Sequence, residues 1–165
     1  MYKIGDYLMY RRDVCKVVDI KETKNGNNYV LVPINDESLK IQIPCATNVS
    51  FIRNLITKEE IEELIKKIPE IEIIETNNKL IENEYKTLLN SNNHLDLIKI
   101  IKTTYLRNKE RTDSGKKIGD KDKHYFDKAE EYLYNEFKLV LNKTYEETRN
   151  YIIENVKHIE VKNEY

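Results

Sequence analysis

From Leu95 to Phe137 the chain reads LDLIKIIKTTYLRNKERTDSGKKIGDKDKHYFDKAEEYLYNEF, and the rest of the sequence is organised around that stretch. Its first part, Leu95 to Arg111, sets Leu97, Ile98, Ile101 and Tyr105 at three- and four-residue steps, the apolar stripe of a helix. Lys99, Lys102, Arg107, Lys109 and Arg111 fall mostly off that stripe and are expected in solvent. Ser114-Gly115-Lys116-Lys117-Ile118-Gly119 then breaks the period. Asp120 is expected to cap a second helix through its side-chain oxygen. That helix carries Phe126, Ala129, Leu133, Phe137 and Val140 on one side. Two packed rods joined by a cationic link suit a polyanion better than a small substrate.

The chain has 165 residues, room for one domain or two small ones. Its formal net charge is −1, so the molecule as a whole is no cationic glue, but the charge is unevenly spread. From Lys99 to Lys128 ten Lys/Arg stand against five Asp/Glu, whereas from Thr57 to Ile98 five stand against ten. Cys15 and Cys45 have neither CxxC spacing nor a nearby histidine, and read as small buried hydrophobes rather than ligands or nucleophiles. No apolar signal region opens the sequence and no apolar run approaches a membrane span, so the expectation is a cytoplasmic protein.

Residues 1–53 read as β structure. Tyr7 to Tyr10 is a short strand after the Gly5-Asp6 turn, and Val14 to Lys21 holds the β-branched Val14, Val17, Val18 and Ile20. Asn25-Gly26 is a hairpin signal, because both residues accept positive φ. Tyr29 to Val32 is the return strand, ended by Pro33. Leu39 to Ile43 alternates with period two, turning Lys40 and Gln42 outward, and Val49 to Arg53 gives a last strand. Five short strands in this span predict a small, twisted, barrel-like antiparallel sheet.

Helices follow. Thr57-Lys58-Glu59-Glu60 is a capping box, with Ile61, Leu64, Ile65 and Ile68 as the buried stripe and Pro69 as the stop. A second helix spans Asn78 to Leu89. After the long basic helix and its partner, Asn142-Lys143-Thr144 interrupts, and Thr144-Tyr145-Glu146-Glu147 is another capping box. It opens a terminal helix through about Val156, followed by a polar tail expected to fray. Strands first and helices after predict an α+β chain: a β-rich domain over residues 1–56 and an all-α domain over 57–165.

The usual signatures of catalysis are missing. Four scattered glycines make no phosphate loop, and His94, His124 and His158 have no partners at metal-ligand spacing. The Glu59 to Glu63 run reads as a solvated helix face rather than an acid/base pair. Neither an enzyme nor a cofactor is expected. Tyr105, Tyr125, Tyr132 and Tyr134 flank the basic link, where aromatic faces could meet nucleic acid. The favoured reading instead packs Tyr105 and Tyr132 between helices, hydroxyls at the surface.

These residues resemble a family, the CarD-type bacterial transcription regulators. Tyr2-Lys3-Ile4-Gly5-Asp6, Tyr10, Val17 to Ile20, Asn25-Gly26 and Tyr29 to Pro44 are similar to its RNA-polymerase-interacting domain, a Tudor-like module shared with transcription-repair coupling factors. Ile98 to Arg111, the Ser114 to Lys117 link, Ala129-Glu130 and Leu133 resemble its helical domain. The resemblance implies docking on the RNA polymerase β subunit through the strand domain, with Lys40 and Gln42 as candidate contacts, although the family often has arginine where Gln42 stands. It implies backbone contacts of the helical domain to promoter DNA through Arg107, Lys109, Arg111, Lys116, Lys117, Lys121 and Lys123, stabilising one promoter state without chemistry. Many members insert a tryptophan into the minor groove. This chain has none, and Ile81 or Tyr85 occupies the matching region. The second reading is a protein-only adaptor whose helical domain binds another protein.

Overall fold

The structure is a computed structural model that describes residues 1–46, 51–91 and 93–163. It is α+β: a five-stranded antiparallel sheet followed by helices. The chain divides into two compact units, Met1–Leu55 and Ile56–Tyr165.

In the first unit the strands are Tyr7–Tyr10 (β1), Asp13–Thr23 (β2), Gly26–Pro33 (β3), Ile41–Pro44 (β4) and Ile52–Arg53 (β5). They lie in the order β4-β3-β2-β1-β5, so β4 and β5 are the outer strands. Alternation puts Leu8, Cys15, Val17, Tyr29, Leu31 and Ile43 into one apolar cluster. Burial pushes the Cys15 thiol up to about 12, with Asp13 adding to it, and both cysteines are free.

The β2–β3 turn differs from the expectation by one residue. Lys24 and Asn25 form the loop, and the positive φ, +112°, belongs to Gly26, which already pairs with Thr23. Only glycine takes that angle without strain. β4 begins at Ile41 rather than Leu39, leaving Lys40 exposed just before it. Of the expected last strand, Val49 and Ser50 lie outside the described residues; β5 is the two residues that follow Phe51.

The second unit holds α1 (Lys58–Lys67), α2 (Ile81–Asn90), α3 (His94–Asp113), α4 (Asp120–Leu141) and α5 (Tyr145–Asn163), with a 3-10 turn at Ile68–Glu70. The Thr57 capping box closes at both ends: Thr57 Oγ1 accepts from Glu60 N and Glu60 Oε1 from Thr57 N. Thr144 and Glu147 repeat it at the start of α5. The terminal helix runs past Val156 to Asn163, so the tail expected to fray is helical that far. α3 packs chiefly on α4, and the pairs His94–Glu136 and Arg107–Asp122 show the two running antiparallel.

Ile61, Ile81, Tyr85, Ile100, Leu133 and Phe137 form the centre of this unit's core. The buried residues of α3 are Leu97, Ile98, Ile100, Thr103 and Thr104, with Ile101 partly buried. Tyr105 is 57% exposed and does not pack between helices as expected. Lys102, expected in solvent, instead donates to the carbonyls of Ile68 (3.0 Å), Pro69 (3.2 Å) and Ile71 (2.8 Å). Those carbonyls end the 3-10 turn, where a cation offsets the partial negative charge.

Candidate nucleic-acid interface

The link between α3 and α4 begins with a helix end that glycine makes possible. Gly115 has φ +77°, its N–H bonds to Thr112 O, and Lys116 N bonds to Arg111 O at 2.8 Å. This is a Schellman closure, which needs a left-handed residue and turns the chain sharply out of the helix. Arg111 Nε then donates to Lys117 O at 2.9 Å and ties the link back onto α3. At the far end Gly119 N donates to Asn108 Oδ1 at 3.0 Å. The helix therefore starts after Gly119. Asp120 is its first residue and makes no cap, contrary to the expectation.

Beside this link a buried network fixes one of the arginines. Asp122, 4% exposed, accepts from Arg107 Nε at 3.0 Å on one oxygen and from the Tyr85 hydroxyl at 2.8 Å on the other. Arg107 Nη2 reaches Asn78 Oδ1 at 2.7 Å. Burial, reinforced by the hydrogen bond to Asp122, pushes the Tyr85 hydroxyl far above its ordinary value, so it remains the donor. Ile81 and Tyr85 are both 0% exposed, which corrects their expected role as a groove-inserting wedge. Neither has surface to insert. Their burial follows from helix geometry, since both lie on the inner face of α2, one turn apart. The exposed apolar side chain of that segment is Leu80.

The seven cations of the expected interface separate into two groups. Arg107 is half-buried and committed to Asp122 and Asn78. Lys123 pairs with Asp127 at 2.7 Å along α4, and Lys121 is exposed with Glu82 at 4.0 Å and Asn78 O at 3.5 Å. Lys109, Lys116 and Lys117 are exposed, and among the described residues no carboxylate pairs with them. Arg111 is exposed with its guanidinium held by a carbonyl rather than an acid. A cavity of about 220 Å³ opens here, lined by Asn78, Arg107, Arg111, Lys121 and the first residues of α4.

A second cavity, of about 380 Å³, has the opposite character. Glu59, Glu60, Glu63, Lys67 and His94 line it. His94 Nε2 lies 2.7 Å from Glu136 Oε1, and Glu136 Oε2 accepts from Ile56 N at 2.7 Å. Among the described residues no group of three or more His, Cys, Asp or Glu is arranged to hold a metal.

In the sheet unit, Cys45 N donates to Asn27 O, which sets the alternation of the β3–β4 ladder. Ile41 and Ile43 therefore bond to β3, while the backbone groups of Gln42 point away from the sheet. The side chains of Lys40 and Gln42 are exposed. Among the described residues no strand covers that rim.

Sequence reading missed Asn78, Tyr85 as an anchor, Gly119 and Asp122. An aspartate three places into a helix is common, and nothing local marks one whose partners lie 15 and 37 residues away. The chain matches no model of a known protein family and no curated protein. Among the described residues no helix is long and apolar enough to cross a membrane.

Proposed function

We propose that this chain is a non-enzymatic transcription regulator of the CarD type. It docks on the RNA polymerase β subunit through its sheet and touches promoter DNA through α3, α4 and their link, altering the stability of the open complex. The observation that carries the reading is the set of exposed cations in the last turns of α3 and the link, Lys109, Lys116 and Lys117, with no carboxylate partner among the described residues, beside Arg111 and Lys121. Such a set neutralises phosphates and releases counterions, giving affinity without base selection. Arg107 and Lys123 join the contact only weakly, because a carboxylate holds each at hydrogen-bond distance, 3.0 and 2.7 Å, whereas Glu82 stands 4.0 Å from Lys121.

The outer edge of β4 supports the docking half. Outward N–H and C=O groups at Gln42 offer a template for one more strand, flanked by the Lys40 and Gln42 side chains. Tethering at one site raises the local concentration of weak contacts at the other. Leu80, exposed and two residues from Asn78, replaces Ile81 and Tyr85 as the apolar group nearest a bound duplex.

Pull-down of the β subunit by the full chain tests the docking half. Wild type is expected to retain the subunit, and Gln42→Pro to release it without loss of thermal stability, since that N–H bonds to no neighbouring strand. Failure of wild type to retain it at micromolar protein contradicts the reading. The adaptor alternative has no specific observation in its favour.

A further inference from the structure

Residues 114–119 are exposed as far as Ile118, yet their backbone is tied down at almost every step. Ser114 N donates to Glu110 O at 3.1 Å, and Gly115 and Lys116 complete the Schellman closure described above. Beyond that closure the ties are side chains of α3. Arg111 Nε donates to Lys117 O at 2.9 Å, and Asn108 Oδ1 accepts from Gly119 N at 3.0 Å. Asn108 and Arg111 stand three residues apart, so one face of the last turns of α3 presents both to the link. The peptides on either side of Ile118 are thereby fixed, and Ile118 itself stays 50% exposed.

A connection whose only task is to join two helices does not need this. Exposed N–H and C=O groups are satisfied by water, and a free loop keeps its conformational entropy. Fixing the backbone of Lys116 and Lys117 lowers the entropy lost when their side chains engage a partner, so preorganisation raises affinity without adding a contact. The two ties differ in chemistry. Arg111 is a cation that commits one N–H to the chain and keeps its charge for a polyanion. Asn108 is neutral and half-buried, with its oxygen turned to Gly119, so it acts on a duplex only through the link.

We infer that Asn108 is a positioning residue for the nucleic-acid contact, holding the link so that Lys116 and Lys117 meet phosphates from a fixed backbone. The inference rests on the nucleic-acid reading above and adds to it a residue that carries no charge. Its contribution therefore lies in affinity and not in salt dependence, which counts only the cations that reach phosphates.

The test compares affinity with its salt dependence. Asn108→Ala removes the acceptor and leaves every cation in place. Duplex binding by the full chain is expected to weaken about five- to tenfold, with an unchanged slope of log affinity against log salt. Amide relaxation in the same variant is expected to show order parameters at Lys116, Lys117 and Ile118 falling from about 0.85, the value of rigid backbone, to below about 0.6. Asn108→Asp keeps an acceptor oxygen in the same place and is expected to retain the rigid link; loosening there overturns the role of that oxygen. A link that stays rigid in Asn108→Ala, or wild-type affinity with a loosened link, overturns the inference. So does a loss of affinity matched by a shallower slope, because contacts rather than positioning were then lost. The wild-type chain alone also decides: order parameters below about 0.6 at Lys116 and Lys117 overturn it without any variant. A rigid wild-type link on a chain that binds no duplex at low salt overturns the nucleic-acid reading instead, and reduces Asn108 to a tie within the fold.

Discussion

Two parts of one basic segment behave differently. Along the body of α3, Lys102 caps a 3-10 turn and Arg107 lies in a buried network, so these cations hold the fold together. Along the link, Lys116 and Lys117 face solvent, and among the described residues no carboxylate pairs with them. A sequence count treats all of them alike. The difference teaches that the charge a partner would meet is smaller than the charge the segment contains, and is concentrated where the helices are interrupted. Substitutions in the two parts should accordingly separate stability from binding.

The largest expected effect is at Asp122. Asp122→Ala leaves Arg107 and the buried Tyr85 hydroxyl without their shared acceptor and should cost about 3 kcal/mol, read from urea unfolding followed by helical circular dichroism. A loss under about 1 kcal/mol would mean the network is replaceable by water and would erase the distinction. Next, Lys116→Gln with Lys117→Gln should change stability by less than about 0.5 kcal/mol. The same pair should weaken duplex binding uniformly across sequences, the salt slope falling by about 2. Dependence on one base pair would contradict this.

The smallest effect concerns a buried carboxyl midway along α4. Burial raises Glu130 above its ordinary 4.5, Asp127 adds to this, and Arg149 opposes it. The folded state thus holds that proton more tightly than the unfolded chain. Its contribution is complete below 4.5 and is lost as pH rises through the raised value. Glu130→Gln keeps the shape without the titration, so its melting temperature relative to wild type should rise from acidic to neutral pH. A difference that does not vary with pH would count against burial as the dominant cause.

What the sequence made legible was local. The boxes at Thr57 and Thr144 lie within four residues each, and strand alternation around Ile41 to Ile43 repeats every second residue. The hairpin was legible as a turn, but its positive φ fell on Gly26 rather than on both Asn25 and Gly26. Tyr105 fits a helical period, yet Ile100 and Thr104 face α3's neighbours in its place. The site was least legible because its parts come from α2, α3 and α4. Whether Arg107 is free for a ligand depends on Asn78 and Asp122, and no spacing rule connects those three. Tyr85 shows the same limit: an aromatic that could serve as a wedge is buried on the inner face of α2, and the acceptor for its hydroxyl comes from 37 residues later.

The most direct test is a salt titration of duplex binding by the full chain. Contacts from Lys109, Arg111, Lys116, Lys117 and Lys121 predict that log affinity falls against log salt with a slope of about −4 to −5, the same for unrelated duplexes. No measurable binding at low salt, or an affinity indifferent to salt, would contradict the account and favour a partner made of protein.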